Sequence, residues 1–156
     1  MSDVWMVNTD GGSRGNPGPA GAGVVVRDPS GEIVARGGSY LGSATNNVAE
    51  YEAMLWGMRA ARALGATSLL VRADSELIVK QMLGQYRVKN EGLKPLFLRA
   101  QELRRAFQDV TFQHVRREAN VEADALANEA MDARADVGDA PEPPERGAAT
   151  LFGEGC

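Results

Sequence analysis

The sequence predicts an α/β protein built on a mixed β-sheet, and three observations indicate this class. Three β-prone segments, separated by turns rich in glycine, proline and aspartate, occupy the first 40 residues. From Asn47 the apolar residues change to a spacing of three or four. Beyond that helix, short apolar strands alternate with helical segments, the order typical of parallel strands joined by crossover helices.

The first half of the chain predicts three antiparallel strands and a helix. Residues 4–10 form the first strand, which ends at an Asp-Gly-Gly turn. Gly21–Arg27 and Ile33–Tyr40 flank Asp28-Pro29-Ser30-Gly31, whose composition is that of a hairpin turn. Apolar residues at helical spacing then run from Asn47 to Gly65, where a glycine ends the pattern.

The second half predicts further strands and helices, followed by a change of composition. Its elements are a strand at Ser68–Ala73, a helix from Ser75, a helix at Leu93–Phe107, a strand at Val110–Val115 and a helix at Val121–Met131. Asn120 stands at the N-cap position of the last helix. From residue 133 the chain is rich in Asp, Gly, Ala, Pro and Glu without periodicity. We therefore expect one domain at 1–132 and a disordered tail or linker stub at 133–156.

The net charge of -4, taken as a sum, argues against a nucleic-acid partner. Its distribution changes that conclusion. From Asp132 onward there are six acidic and two basic residues, which leaves fifteen of each in residues 1–131. The acidic excess belongs to the tail, and the body of the protein is neutral.

The lone cysteine, Cys156, excludes an intramolecular disulfide and a metal site built from cysteines. The N-terminus has no signal-peptide pattern, and no apolar run has the length of a membrane span. A cytoplasmic, reducing location and a monomer with no membrane contact are the default expectations.

Four carboxylates stand at element ends: Asp10, Glu50, Asp74 and Asp124. Each has an ordinary structural interpretation as a turn residue, a helix cap or a favourable charge near a helix N-terminus. Together, however, they are expected to converge beside the strand ends of an open α/β sheet. Four close carboxylates cannot all stay ionised without a cation. Because the chain has one cysteine and one histidine, it is better suited to Mg²⁺ or Mn²⁺ than to zinc.

Four sequence stretches carry a resemblance to a known family. They are Thr9-Asp10-Gly11-Gly12-Ser13-Arg14-Gly15-Asn16-Pro17-Gly18, Thr45-Asn46-Asn47-Val48-Ala49-Glu50, Asp74-Ser75, and Asn120-Val121-Glu122-Ala123-Asp124-Ala125-Leu126-Ala127. In order, spacing and placement the chain resembles ribonuclease H type 1, which cuts the RNA strand of RNA/DNA hybrids, over about residues 3–132.

The resemblance implies a ribonuclease H-like fold with a five-stranded mixed sheet and helices on both faces. It also implies hydrolysis with two Mg²⁺ ions, or Mn²⁺, held by the four carboxylates, to give 5'-phosphate and 3'-hydroxyl ends. The further residues it implies are substrate contacts from Asn16, Asn46 and Asn47 to the minor groove of the hybrid, and a phosphate pocket that uses Thr45 and Asn90. Amides suit this role, since they donate to and accept from base edges and 2'-hydroxyls. For Asn47 we also expect a helix cap.

The chain departs from the family in the loop before the last helix, where many members carry a histidine. Here the loop reads Arg116-Arg117-Glu118-Ala119-Asn120, and the single histidine, His114, lies in the predicted strand. Arg117 or Glu118 is the candidate for the loop function. Two alternatives remain: a module that binds hybrids without cutting them, and another nuclease of the same superfamily. The tail also leaves open that the chain is the N-terminal part of a larger bifunctional protein.

Overall fold

In the computed structural model, which describes residues 3–145, six strands form one mixed sheet with helices on both faces. The strands are β1 (Val4–Ser13), β2 (Gly18–Arg27), β3 (Ile33–Ala44), β4 (Ser68–Ala73), β5 (Asp109–His114) and β6 (Val137–Gly138). The helices are α1 (Asn46–Ala63), α2 (Glu76–Met82), α3 (Lys94–Arg104) and α4 (Val121–Ala133), with a 3-10 turn at Arg117–Ala119 before α4.

The sheet has the order β5-β4-β1-β2-β3-β6. The first three strands are antiparallel, whereas β1, β4 and β5 are parallel. Both predictions are confirmed, and the α/β class follows from them. The first two strands extend further than the sequence pattern indicated, since β1 continues to Ser13 and β2 begins at Gly18.

Alternation along β1 assigns its side chains to the two helical layers. Val7 and Thr9 lie against Gly57 of α1, whereas Gly23 of β2, the partner of Asp10 in the ladder, lies against Ala123 of α4. The face that bears Thr9 is therefore covered by α1, and the face that bears Asp10 by α4. The buried core includes Tyr51, Trp56 and Met58 of α1, whose burial contributes to the driving force for this packing.

The structure adds a sixth strand of two residues to the five predicted, and it places residues 137–141 of the predicted tail against the domain. β6 pairs with the outer edge of β3 through Gly37 and Gly38. Ala140 is buried, and the indole Nε1 of Trp56 donates to the carbonyl of Pro141 at 2.9 Å. The sequence shows no strand signal here, because a strand of two residues, Val137 and Gly138, is too short to show an alternation. The remainder of the predicted tail, 146–156, lies outside the described residues.

Two predicted helix caps also differ from the structure. Thr45, not Asn47, caps α1, since its Oγ1 accepts from the amide of Val48 at 3.2 Å. Asn120 occupies the N-cap position of α4, but its side chain makes no capping hydrogen bond. Ser75 caps α2 through a bond from the amide of Ile78 at 3.3 Å.

Within residues 3–145, the structure contains no helix with the length and apolar character needed to cross a membrane.

Candidate active site

Three of the four predicted carboxylates meet at one end of the sheet. Oxygen atoms of Asp10, Glu50 and Asp74 all lie within 4.8 Å of one another. Two of the three positions follow from strand pairing. β1 and β4 are parallel neighbours in which Thr9 pairs with Ala73, so the residues that follow, Asp10 and Asp74, lie side by side. The carboxyl ends of adjacent parallel strands open on the same crevice, where ligands bind in such sheets.

Glu50 reaches the cluster because α1 packs unusually close to β1. A Cβ atom on Gly11 would lie 2.2 Å from the carbonyl oxygen of Ala49 and 2.7 Å from the amide nitrogen of Glu50. Only a residue without a side chain permits this approach. Gly11 therefore sets the distance between the first turns of α1 and Asp10.

Asp124 approaches from the opposite helical layer. It lies in the first turn of α4 and lines the same pocket as the other three carboxylates. Asp124 contributes to the raised pKa of Asp10, as expected of two carboxyl groups that line one pocket. All four predicted carboxylates are thus brought together, two from strand ends and one from a helix on each face of the sheet.

The cluster strongly perturbs the ionisation of its buried members. Burial, followed by the charges of Glu50 and Asp74, raises the pKa of Asp10 to about 10. Burial and the charge of Asp74 raise the pKa of Glu50 to about 8, opposed in part by the charge of Arg117. Without a cation, the cluster therefore favours the protonated form of these buried carboxyl groups over the ionised form.

The donor set fits a hard divalent cation. The site offers carboxylate oxygens and no thiol or imidazole among its lining residues, and such oxygens are the ligands of Mg²⁺ and Mn²⁺. The like charges that raise the pKa of Asp10 are those that a cation neutralises. Asp10, Glu50, Asp74 and Asp124 are the residues that would hold it.

The carboxylates line an open pocket of about 400 Å³. Most of its remaining walls are polar, and they come from the glycine-rich end of β1, the start of α1, the turn before α4 and the body of α4. The lining residues are Asp10, Gly11, Gly12, Ser13, Arg14, Asn46, Asn47, Glu50, Asp74, Ser75, Arg117, Asp124, Ala127, Asn128 and Met131.

Two of the predicted substrate-contacting amides are oriented by the protein itself. The Oδ1 atom of Asn16 accepts from the amide of Asn46 at 3.0 Å. In turn, Oδ1 of Asn46 accepts from the amide of Ser13 at 2.8 Å and from its hydroxyl at 3.2 Å. Since both carbonyl oxygens are engaged, the NH₂ groups are the parts of these side chains left to contact a ligand. Asn46 and Asn47 line the pocket, whereas Asn16 is not among its lining residues and adjoins them through its bond with Asn46.

The two residues predicted for a phosphate pocket are not among the lining residues. Thr45 caps α1, as described above. Asn90 is exposed in the segment before α3, where its Oδ1 accepts from the amide of Gly92 at 2.8 Å. Their joint contact with a phosphate stays a prediction.

Arg117 and Glu118, the two candidates in the loop, point to different environments. Arg117 lines the active-site pocket, and its charge favours the ionised form of Glu50. Glu118 instead lines a smaller pocket beside Asn8 and Arg27. Of the two, Arg117 is the one that the structure places at the carboxylates.

Sequence reasoning missed Arg14, which fixes the glycine-rich loop to α4. Its guanidinium lies 2.7 Å from a carboxylate oxygen of Asp132 and 3.3 Å from Oδ1 of Asn128. The Ser13-Arg14-Gly15 stretch within the first motif was the available signal, but nothing in the local pattern identifies a partner more than 110 residues away.

Three comparisons relate the chain to known proteins. A family model described as reverse transcriptase-like matches residues 8–130. The bifunctional protein Rv2228c of Mycobacterium tuberculosis is 45% identical over 147 residues, a match that covers 93% of this chain and 40% of that protein. The chain therefore spans less than half the length of this relative.

Solved structures agree with the family model. The crystal structure of RNase H1 from Halobacterium salinarum matches with a TM-score of 0.81 and 44% identity, covering 83% of this chain and 98% of that one. LC11-RNase H1, solved in complex with an RNA/DNA hybrid, matches with a TM-score of 0.80 and 42% identity over the same shares. The matched region contains all four carboxylates, and the chain belongs to the ribonuclease H type 1 family.

Proposed function

We propose that this protein is a metal-dependent endoribonuclease that hydrolyses the RNA strand of RNA/DNA hybrids. The observation that carries the proposal is the convergence of Asp10, Glu50 and Asp74, whose oxygen atoms lie within 4.8 Å of one another. The oriented amide side chains of Asn16 and Asn46 lie beside this cluster. Family membership and the hybrid bound to LC11-RNase H1 support the choice of substrate.

The four carboxylates would hold two Mg²⁺ ions, with Mn²⁺ as a substitute. When bound, such ions supply an attacking water of lowered pKa and charge stabilisation at the leaving oxygen. The four side chains provide the negative charge that retains the ions. The packing of α1 and α4 on the two faces of the sheet fixes the spacing of these carboxylates. Hydrolysis breaks the bond between phosphorus and the 3'-oxygen, so the products carry a 5'-phosphate and a 3'-hydroxyl.

The amide side chains of Asn16, Asn46 and Asn47 would distinguish RNA from DNA. Asn16 and Asn46 offer NH₂ donors, because their carbonyl oxygens are held by the amides of Asn46 and Ser13. The 2'-hydroxyl oxygen and the minor-groove acceptors of bases are partners for such donors, and the minor groove of a hybrid displays both. Asn47 would add a further contact to the minor groove. Thr45 and Asn90 would contact a backbone phosphate.

A strand-specific cleavage assay tests this function. Duplexes of RNA/DNA, DNA/DNA and RNA/RNA, each labelled on one strand, are incubated with the protein during titrations of Mg²⁺ and of Mn²⁺. We expect cleavage of the RNA strand of the hybrid alone and none in the presence of a chelator. Equal cleavage of DNA/DNA and RNA/DNA would favour another nuclease, and hybrid binding without cleavage would favour a recognition module.

Arg117 is proposed to take the part that a loop histidine has in many members of the family. Arg117 lines the same pocket as the four carboxylates, so its guanidinium would lie near a phosphate bound there. A charge-assisted hydrogen bond contributes about 1.5–3 kcal/mol. We therefore expect Arg117→Ala to lower steady-state turnover by about tenfold.

The comparison of single-turnover with steady-state rates locates the effect of Arg117→Ala. A larger loss in the steady state indicates product release, and an equal loss in both indicates the cleavage step. Arg116→Ala is the matched control, because this neighbouring arginine is exposed and does not line the pocket. Equal rates for Arg117→Ala and the parent protein in both regimes would rule out the role.

The proposal is completed by a cytoplasmic location, which agrees with a single cysteine and no intramolecular disulfide, and by a monomeric state.

A further inference from the structure

The residue at the N-cap position of α4 uses its side chain to join the helix to the sheet. Nδ2 of Asn120 donates to the carbonyl oxygen of Thr9 at 2.9 Å, and its Oδ1 accepts from Nδ2 of Asn8 at 3.1 Å. Asn120 is 1% exposed and Asn8 is 5% exposed. A buried pair of amides, far apart in sequence, thus connects β1 to the beginning of α4.

The arrangement is not one that stability alone favours. Oδ1 of Asn8 is buried and has no hydrogen-bond partner among the described residues. An unsatisfied buried acceptor costs about 1–3 kcal/mol, and an apolar residue of similar shape would avoid that cost. Asn120 also leaves the first amides of α4 without a side-chain cap, although Asn is among the best capping residues. Unsatisfied groups of this kind in a native structure point to a requirement other than folding.

The pair lies between two of the site carboxylates. Asp10 follows Thr9, whose carbonyl receives the bond from Asn120. Asp124 begins the helical hydrogen bonding of α4, since its amide donates to the carbonyl of Asn120 at 3.1 Å. Any movement of Asn120 relative to β1 therefore changes the separation of Asp10 and Asp124.

We infer that the Asn8–Asn120 amide pair positions Asp124 against Asp10 for cation binding. This inference rests on the proposed function for its connection to catalysis, but the geometry it claims can be measured without substrate. Neither amide touches the reacting groups; Asn8 acts through Asn120, and Asn120 acts through the first turn of α4.

The test replaces Asn8 by Leu, which keeps the approximate shape and removes the donor. Calorimetric titration of the protein with Mg²⁺, without nucleic acid, is expected to show an affinity reduced by about tenfold, the lower end of what loss of a partner outside the coordination sphere causes. With hybrid present, kcat at limiting Mg²⁺ falls by a similar factor and recovers at high Mg²⁺, while KM for the hybrid changes by less than about twofold.

Ser39→Ala is the matched control. It removes another side-chain hydrogen bond of a buried residue, from Oγ of Ser39 to Oδ1 of the exposed Asp136 at 2.7 Å, and Ser39 does not line the active-site pocket. The control is expected to lose comparable thermal stability and to keep the Mg²⁺ affinity of the parent. Asn8→Ala is the second variant, in case the leucine is not accommodated. Hydrogen exchange at the amide of Asp124 is expected to be faster in both Asn8 variants and unchanged in the control.

The outcomes separate the two proposals. Parental Mg²⁺ affinity in Asn8→Leu and Asn8→Ala would overturn the positioning role, whatever happens to stability. A parent protein that binds Mg²⁺ but cleaves no hybrid would overturn the proposed function alone. A parent protein that binds neither Mg²⁺ nor Mn²⁺ would overturn both.

Discussion

Asp10→Asn is expected to reduce Mg²⁺-dependent cleavage of an RNA/DNA hybrid by about 10³-fold, equivalent to about 4 kcal/mol of transition-state stabilisation. Asp10 is the carboxylate that the other three surround, since the charges of Glu50, Asp74 and Asp124 all raise its pKa. An amide keeps the shape of this side chain and removes the negative charge that a cation requires. The loss is therefore expected in kcat and in the Mg²⁺ requirement rather than in hybrid binding.

The same substitution should leave the metal-free fold intact, and the pKa of Asp10 gives the sign of the effect. The pKa of an aspartate is about 3.9 in an unfolded chain and about 10 here. The stability contributed by the protonated carboxyl is complete below about pH 4 and is lost as the pH rises towards 10. Asparagine has no proton to lose. In the presence of a chelator we expect Asp10→Asn to melt above the parent at pH 9, with a difference that shrinks towards pH 5.

Thermal melts at pH 5, 7 and 9 with a chelator, combined with cleavage rates in Mg²⁺, check both expectations. Asp109→Asn is the control, because this aspartate is exposed at the start of β5, away from the pocket. Cleavage by Asp10→Asn within a few-fold of the parent rate would exclude the assignment of this cluster as the catalytic centre.

Gly23→Ala is expected to destabilise the protein by about 3 kcal/mol, the upper end of the usual cost of overpacking. An added Cβ would lie 2.0 Å from the carbonyl oxygen of Ala123 and 2.9 Å from the amide nitrogen of Ala127. Both contacts are with the backbone of α4, so no side chain can rotate away. The helix must move off the sheet and take Asp124 with it. For a domain of this size the corresponding decrease in Tm is roughly 6–12 °C.

Gly12→Ala provides the comparison for stability, because its Cβ would meet only Oδ1 of Asn46, at 3.7 Å. Denaturant unfolding of both variants gives the difference in free energy, and Mg²⁺ titration of Gly23→Ala reports the displacement of Asp124. A free energy of unfolding for Gly23→Ala equal to that of Gly12→Ala would show that α4 does not pack on β2 at this distance.

The positions of the four clustered carboxylates were predictable because they follow from rules that act locally. A first strand predicted to end at Asp10 and a parallel strand predicted to end just before Asp74 open on the same crevice, although β1 itself continues to Ser13. The change of hydrophobic spacing at Asn47 located α1 and therefore Glu50. Turn residues and spacing identified these elements without knowledge of their partners.

What the sequence did not predict depends on contacts between distant residues. Asn8 lies among strand residues, and its partner is 112 residues away. Asn120 is a residue type typical of a helix cap. Only the structure shows that its side chain donates to the carbonyl of Thr9 instead. Similarly, Asn47 and Thr45 are both acceptable capping residues, and the backbone geometry at the end of β3 selects Thr45.

The segment 134–142 determines how the chain leaves the domain. From the end of α4 it passes the edge of β3, where the amides of Asp139 and Ala140 donate to the carbonyl of Arg36, and reaches Trp56 on the α1 side of the sheet. A pull applied beyond Pro141 must break these contacts before it loads α4. These contacts therefore separate Asp124 mechanically from the residues beyond Pro141, whose movements need not disturb the spacing of the carboxylates.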